Sequence, residues 1–124
     1  MKIVRLILIF LFAAMMLLGA FNHLYAPETY AAFIPEFVPE SFANVLSAIV
    51  EGLIGIALIV PKYRKWGGFG FFVLMIAFLP IHIWDLLKNT PAIGSKMAAM
   101  IRLGIQFLLI AGGWWIYKAT PKAN

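Results

Sequence analysis

The chain has no cysteine and, in 124 residues, only two histidines and five acidic residues. Without thiols there are no disulfides, no thiolate metal sites and no cysteine-based redox or nucleophilic chemistry. So few acids and histidines also leave little material for a metal centre. His23, Glu51, His82 and Asp85 would all have to converge, and no spacing of the HExxH kind joins them. Bis-histidine haem ligation rests on His23 and His82 alone, whose depths differ by about one or two helical turns. No cofactor follows from these residues. Charged residues are scarce as well, 12% against 64% hydrophobic, and the mean hydropathy of +0.95 is too high for an ordinary water-soluble domain. The net charge of +5 does not point to nucleic acid, because Lys and Arg sit in short clusters beside apolar runs, as topogenic charges do.

What is present is a set of four apolar runs, at 4–22, 42–60, 67–87 and 97–117. Each is long enough to cross a hydrocarbon core of about 30 Å. They fill one domain, 1–124, and predict an all-α integral membrane protein: four antiparallel helices in a left-handed bundle. The first run, LILIFLFAAMMLLGA, also suits the core of a signal peptide. Leu-Gly-Ala at 18–20 and Leu-Tyr-Ala at 24–26 both lack the small residue three positions before the cut, which favours a retained helix. Between the first two runs lies LYAPETYAAFIPEFVPES, with three prolines and three acids. Pro27 and Glu28 suit the first turn of a short interfacial helix that Pro35 ends, with Tyr30, Phe33 and Ile34 laid on the headgroup region. Ser41 is expected to cap the second span and Pro80 to kink the third, while Trp114 and Trp115 fit an interfacial belt.

Lys2, Arg5, Lys62, Arg64, Lys65, Lys118 and Lys122 fall on one side of these spans with no acid among them, whereas the other side holds Glu28, Glu36, Glu40, Lys88 and Lys96. The positive-inside rule then places both termini in the cytoplasm, and the surrounding membrane is expected to be a bacterial inner membrane.

The second run, FANVLSAIVEGLIGIALIV, carries Glu51 near its middle, where an ionisable group is costly and rare. Ser47, Glu51 and Gly55 recur at i, i+4, i+8 beside Ala48 and Gly52, a small-residue face suited to a neighbouring helix, with Leu58 assigned to the lipid side. Counting 1.5 Å per residue from the outer ends puts His82 and Arg102 roughly 9 Å inside and Glu51 and Gln106 roughly 12 to 15 Å inside. His23 lies just above them, and Asp85 shares a face with His82 but sits nearer the surface. This polar layer reads either as a self-satisfying lock between helices or as a ligand pocket open to the outer leaflet. Within it, Glu51 is the expected partner of Arg102.

NHLYAPETYAAFIPEFVP, SAIVEGLIGIALIVPKYRKWG and IAFLPIHIWDLL together resemble the DoxX-like family of small four-helix membrane proteins. The most specific features are Pro27, Glu28 and Tyr30 followed by Ile34-Pro35, Glu51 four residues before a glycine, Pro61 with Arg64, and Pro80 before His82, where relatives often carry asparagine. The resemblance implies a four-helix bundle and, through various relatives, either assembly of other membrane proteins or work with quinone-linked complexes. Two functional readings follow. One is a non-enzymatic accessory or assembly subunit that meets a membrane protein partner or a second copy of itself. The other is a quinone-linked or lipid-binding protein that uses the polar layer as its pocket.

Overall fold

A computed structural model describes residues 2–123, and every regular element among them is helical. Helix α1 spans Lys2–Tyr25, a 3₁₀ helix Pro27–Phe33 follows, and then come α2, Glu40–Ile59, α3, Arg64–Leu87, and α4, Lys96–Ala119. All four α-helices are long and apolar enough to cross a membrane. Their ends lie within a turn of the apolar runs in the sequence. They mostly run slightly further, because flanking residues such as Lys2, Arg64 and Lys118 are themselves good helix formers.

Local chemistry accounts for the boundaries. Pro27 starts the short helix with its fixed φ and Glu28 lies in its first turn, but the tighter 3₁₀ form is adopted and the chain leaves it at Ile34. Ser41 does not cap α2. Pro39 holds the cap position at φ −60° and ψ 129°, so the helix starts at Glu40 and Ser41 falls inside its first turn. Ser95 does cap α4, accepting a hydrogen bond from the Ala98 amide at 3.1 Å. Gly94, at φ 127°, turns the chain just before that cap. Helix α3 continues through Pro80, which leaves the Ile76 carbonyl without an amide donor. The neighbouring Met75 carbonyl accepts a hydrogen bond from Gln106 Nε2 at 2.7 Å.

The most extensive contacts are α1 on α2 and α3 on α4, joined by α2 on α3 and by a smaller contact of α1 with α4. Glycines set these distances. A Cβ at Gly67 would stand 2.7 Å from the Leu58 amide nitrogen, and one at Gly113 would stand 2.9 Å from that of Phe72, so backbone passes against backbone at both crossings. Gly55 does the same for α1 against α2, where the Leu17 side chain fills the space. Inside, Ile9, Phe12, Met16, Leu58, Phe71, Met75 and Ile116 form one core, with the Phe12 and Phe71 rings stacked at 4.3 Å. Leu58 is therefore not on the lipid side. It lies seven residues from Glu51, two helical turns along the same face, and is wholly buried.

Opposite the 3₁₀ helix, the cations close helix ends. Arg64 donates to the carbonyls of Leu58 and Ile59, both at 2.9 Å. Lys65 donates to those of Tyr117 at 2.8 Å and Thr120 at 3.2 Å, and Arg5 donates to that of Ala119. The last carbonyls of α2 and α4 thus receive charged donors where the helix dipole favours them.

Candidate functional site

Glu51 is 5% exposed and turns towards α1 at Gly19, where a Cβ would overlap its Oε1. One turn further along α1, on the same face, His23 brings Nε2 to 2.8 Å from Glu51 Oε2. The other ring nitrogen, Nδ1, lies 2.7 Å from Asn44 Oδ1, and Asn44 donates through Nδ2 to the Glu40 carbonyl at 3.0 Å. That second bond fixes the amide and makes Oδ1 the acceptor, so His23 Nδ1 carries a hydrogen. Nε2 and Glu51 then have one proton to share. The pair is close enough for an ion pair, yet its N–H is not aligned as a hydrogen bond, and Oε2 keeps unused acceptor capacity.

Tyr30, from the 3₁₀ helix, stacks on the His23 ring at 3.8 Å with 21° between the planes. Burial, and then the nearby Glu51 charge, push its phenol above the usual 10, against a hydrogen bond with Asn22 that pulls the other way.

The second polar group joins α3 to α4. Asp85 is wholly buried, and its Oδ2 accepts from Arg102 Nη2 at 2.9 Å. Its Oδ1 accepts from the Ala92 amide at 2.7 Å, with the Ile93 amide at 3.4 Å from Oδ2 and Lys88 Nζ at 3.5 Å from Oδ1. The expected Glu51–Arg102 pair is absent: Arg102 pairs with Asp85, and Glu51 with His23. Two causes combine. Helices α3 and α4 pack closely, so Arg102 reaches Asp85 before anything on α2, and the turn after α3 folds its amides over Asp85, burying an acid that helix depth alone placed near the surface. Gln106 is buried beside His82 and donates to the Met75 carbonyl, but it does not line the cavity between the two groups.

That cavity measures about 540 Å³. His23, Tyr30 and Glu51 stand on one side, His82 and Arg102 on another, and Phe33, Ile34, Val38, Phe78 and Ile81 supply apolar wall. The Phe33 ring lies 5.3 Å from the Arg102 guanidinium, and Lys88 ties the 3₁₀ helix down by donating to the Ala32 carbonyl at 3.1 Å. Four buried side-chain atoms among the described residues lack a hydrogen-bond partner: Glu51 Oε2, His82 Nδ1, Arg102 Nε and Thr120 Oγ1. The first three belong to residues that line this one cavity.

Of the residues singled out in the sequence, His23, Tyr30, Pro35, Glu51, His82 and Arg102 line the cavity, and Asp85 holds Arg102 from behind. Pro27 shapes the 3₁₀ helix, and Glu28 is exposed outside the cavity. Among the described residues no group of three or more His, Asp or Glu is placed to hold a metal ion. Sequence reasoning passed over Asn44 and Gly19. Their signal is spacing: Asn44 precedes Glu51 by seven residues and Gly19 precedes His23 by four, so each shares a helix face with one member of the pair and meets the other across the crossing.

One family model, described as "Domain of unknown function (DUF8561)", matches residues 12–117. No curated protein and no solved structure matches the chain.

Proposed function

The chain belongs to the DUF8561 family, and from the cavity's geometry we propose that it is an integral membrane protein holding an amphipathic small molecule of the quinone or lipid class. The fold in this reading is a four-helix antiparallel membrane bundle whose 3₁₀ segment lies at the outer interface, with both termini cytoplasmic in a bacterial inner membrane. Composition supports it: outward faces carry large apolar side chains such as Leu53 at 64% and Leu108 at 72% exposure, a surface that suits lipid and not water. The carrying observation is the convergence of Glu51, His82 and Arg102 on one otherwise apolar cavity, with His82 Nδ1 and Arg102 Nε buried and without a hydrogen-bond partner and Glu51 Oε2 met only by His23 Nε2. Buried polar atoms left without partners are expensive, and a headgroup whose carbonyl or hydroxyl oxygens bond Arg102, His82 and Glu51 satisfies them while its tail lies along Phe78 and Ile81. The DoxX-like resemblance belongs to this proposal and favours a quinone within the ligand class.

Native mass spectrometry on protein extracted gently with its lipids tests this. A stoichiometric small molecule should travel with the chain and be lost from Glu51→Gln and from Val38→Trp, which fills the cavity. A stoichiometric protein partner or second copy, with no small molecule bound, would favour the accessory-subunit reading instead.

A further inference from the structure

At the opposite end of the molecule a second cleft, of about 480 Å³, is lined by Arg5, Pro61, Lys62, Arg64, Thr120, Pro121 and Ala123. Three of these side chains are cations, and none of the chain's five acidic residues is among them. Arg5 and Arg64 are held by their bonds to the helix-end carbonyls, yet each guanidinium has five N–H groups and spends only one or two of them there. Lys62 makes no such bond; its ammonium lies 5.4 Å from the Tyr63 ring. Thr120 supplies an independent observation. It is 7% exposed, its carbonyl is pinned by Lys65, and its hydroxyl is the fourth buried atom without a partner.

We infer that this cleft binds a phosphate group, with Arg5, Lys62 and Arg64 neutralising its charge and the Thr120 hydroxyl donating to one of its oxygens. Two pre-positioned guanidinium forks, an ammonium in an exposed turn and a buried hydroxyl approach from several directions and match the tetrahedral oxygens around phosphorus better than they match a planar carboxylate or a chloride. The group can come from an anionic phospholipid headgroup at the bilayer surface, where basic pockets between helices recruit such lipids, or from free phosphate in solution. The site does not depend on what occupies the cavity at the other end.

The test uses purified full-length protein in an uncharged detergent. Native mass spectrometry compares retention of phosphatidylglycerol with that of phosphatidylcholine, and thermal unfolding compares inorganic phosphate with chloride at matched ionic strength. Preference for phosphatidylglycerol without stabilisation by phosphate assigns the headgroup; stabilisation by phosphate alone assigns the free anion. Lys62→Gln, in an exposed turn, and the near-isosteric Thr120→Val should each weaken the preferred ligand, about fivefold for the lost cation. Their fold is checked by the helical circular dichroism spectrum and by the unfolding temperature without added ligand, both of which should match the unmodified protein. Equal retention of both lipids with no response to phosphate overturns the inference, as does a preference that both variants leave intact.

Discussion

Asp85 and Glu51 are both buried acids, but they are held in different ways. Asp85 meets a guanidinium, an ammonium and two backbone amides, whereas Glu51 meets a single imidazole. Removing one member of a buried pair strands the other, at a cost of about 3–5 kcal/mol. Asp85→Asn should therefore destabilise the protein strongly, and adding Arg102→Gln should recover part of that loss. Glu51→Gln combined with Arg102→Gln should show much weaker coupling than Asp85→Asn with Arg102→Gln, because positions 51 and 102 share a cavity but no ion pair. Unfolding of the three single and two double variants in mixed micelles decides this, and coupling between positions 51 and 102 as strong as that between 85 and 102 would contradict the observed pairing. Tyr30 offers a second measurement. Its phenol, raised by burial and by the Glu51 charge, stays neutral to higher pH when folded than when unfolded, so its contribution is present below pH 10 and is lost as pH rises through the folded value. A phenolate absorbance titration compared with Tyr30→Phe should show one tyrosine ionising late, and Glu51→Gln should bring it earlier. At this scale the sequence showed most of the polar residues that line the cavity but not who pairs with whom. Helix depth and face follow from 1.5 Å and 100° per residue, whereas partner choice depends on which helices pack closely and on how the turn after α3 folds over Asp85.

Helices were the most legible level, because an unbroken apolar run of bilayer length has few other forms in which to satisfy its backbone. Their crossings were less so. Gly52 and Gly55 both lie on the small-residue face of α2, yet only Gly55 is tightly covered; a Cβ at Gly52 would meet Ala20 at an ordinary 3.8 Å. The closest backbone contacts are instead at Gly67 and Gly113, which sit in runs where glycine also reads as mere helix entry or lipid-facing surface. Gly67→Ala and Gly113→Ala should each cost about 1–3 kcal/mol, since backbone and not a side-chain tip must yield. Gly104 has nothing within 4 Å, so Gly104→Ala should be neutral or stabilising by up to about 1 kcal/mol through helix propensity alone. Thermal unfolding in detergent separates the two classes. Equal effects at all three positions would mean that these crossings are not held by close approach.

Across the whole molecule seven of the ten cations stand apart from every acid, and the separation serves two purposes at once. Arg5, Arg64 and Lys65 cap the carbonyl ends of α2 and α4 at one pole. At the other pole the 3₁₀ helix is tied down by Lys88 and covers the cavity between Glu51 and Arg102. A chain inserted with the first pole outward would carry seven Lys and Arg residues with no acid among them across the membrane, whereas the reverse orientation translocates only Lys88 and Lys96, on the side that also holds Glu28, Glu36 and Glu40. A reporter active only outside the cytoplasm should therefore work when fused after Pro35 or Asn89 and stay silent after Arg64 or Lys122. Replacing Lys62, Arg64 and Lys65 together with glutamine should yield a mixture of orientations, since that removes the only cations between the second and third spans. Reporter activity after Arg64 in the unmodified chain would invert the molecule, and would put the basic cleft outside and the ligand cavity on the cytoplasmic side.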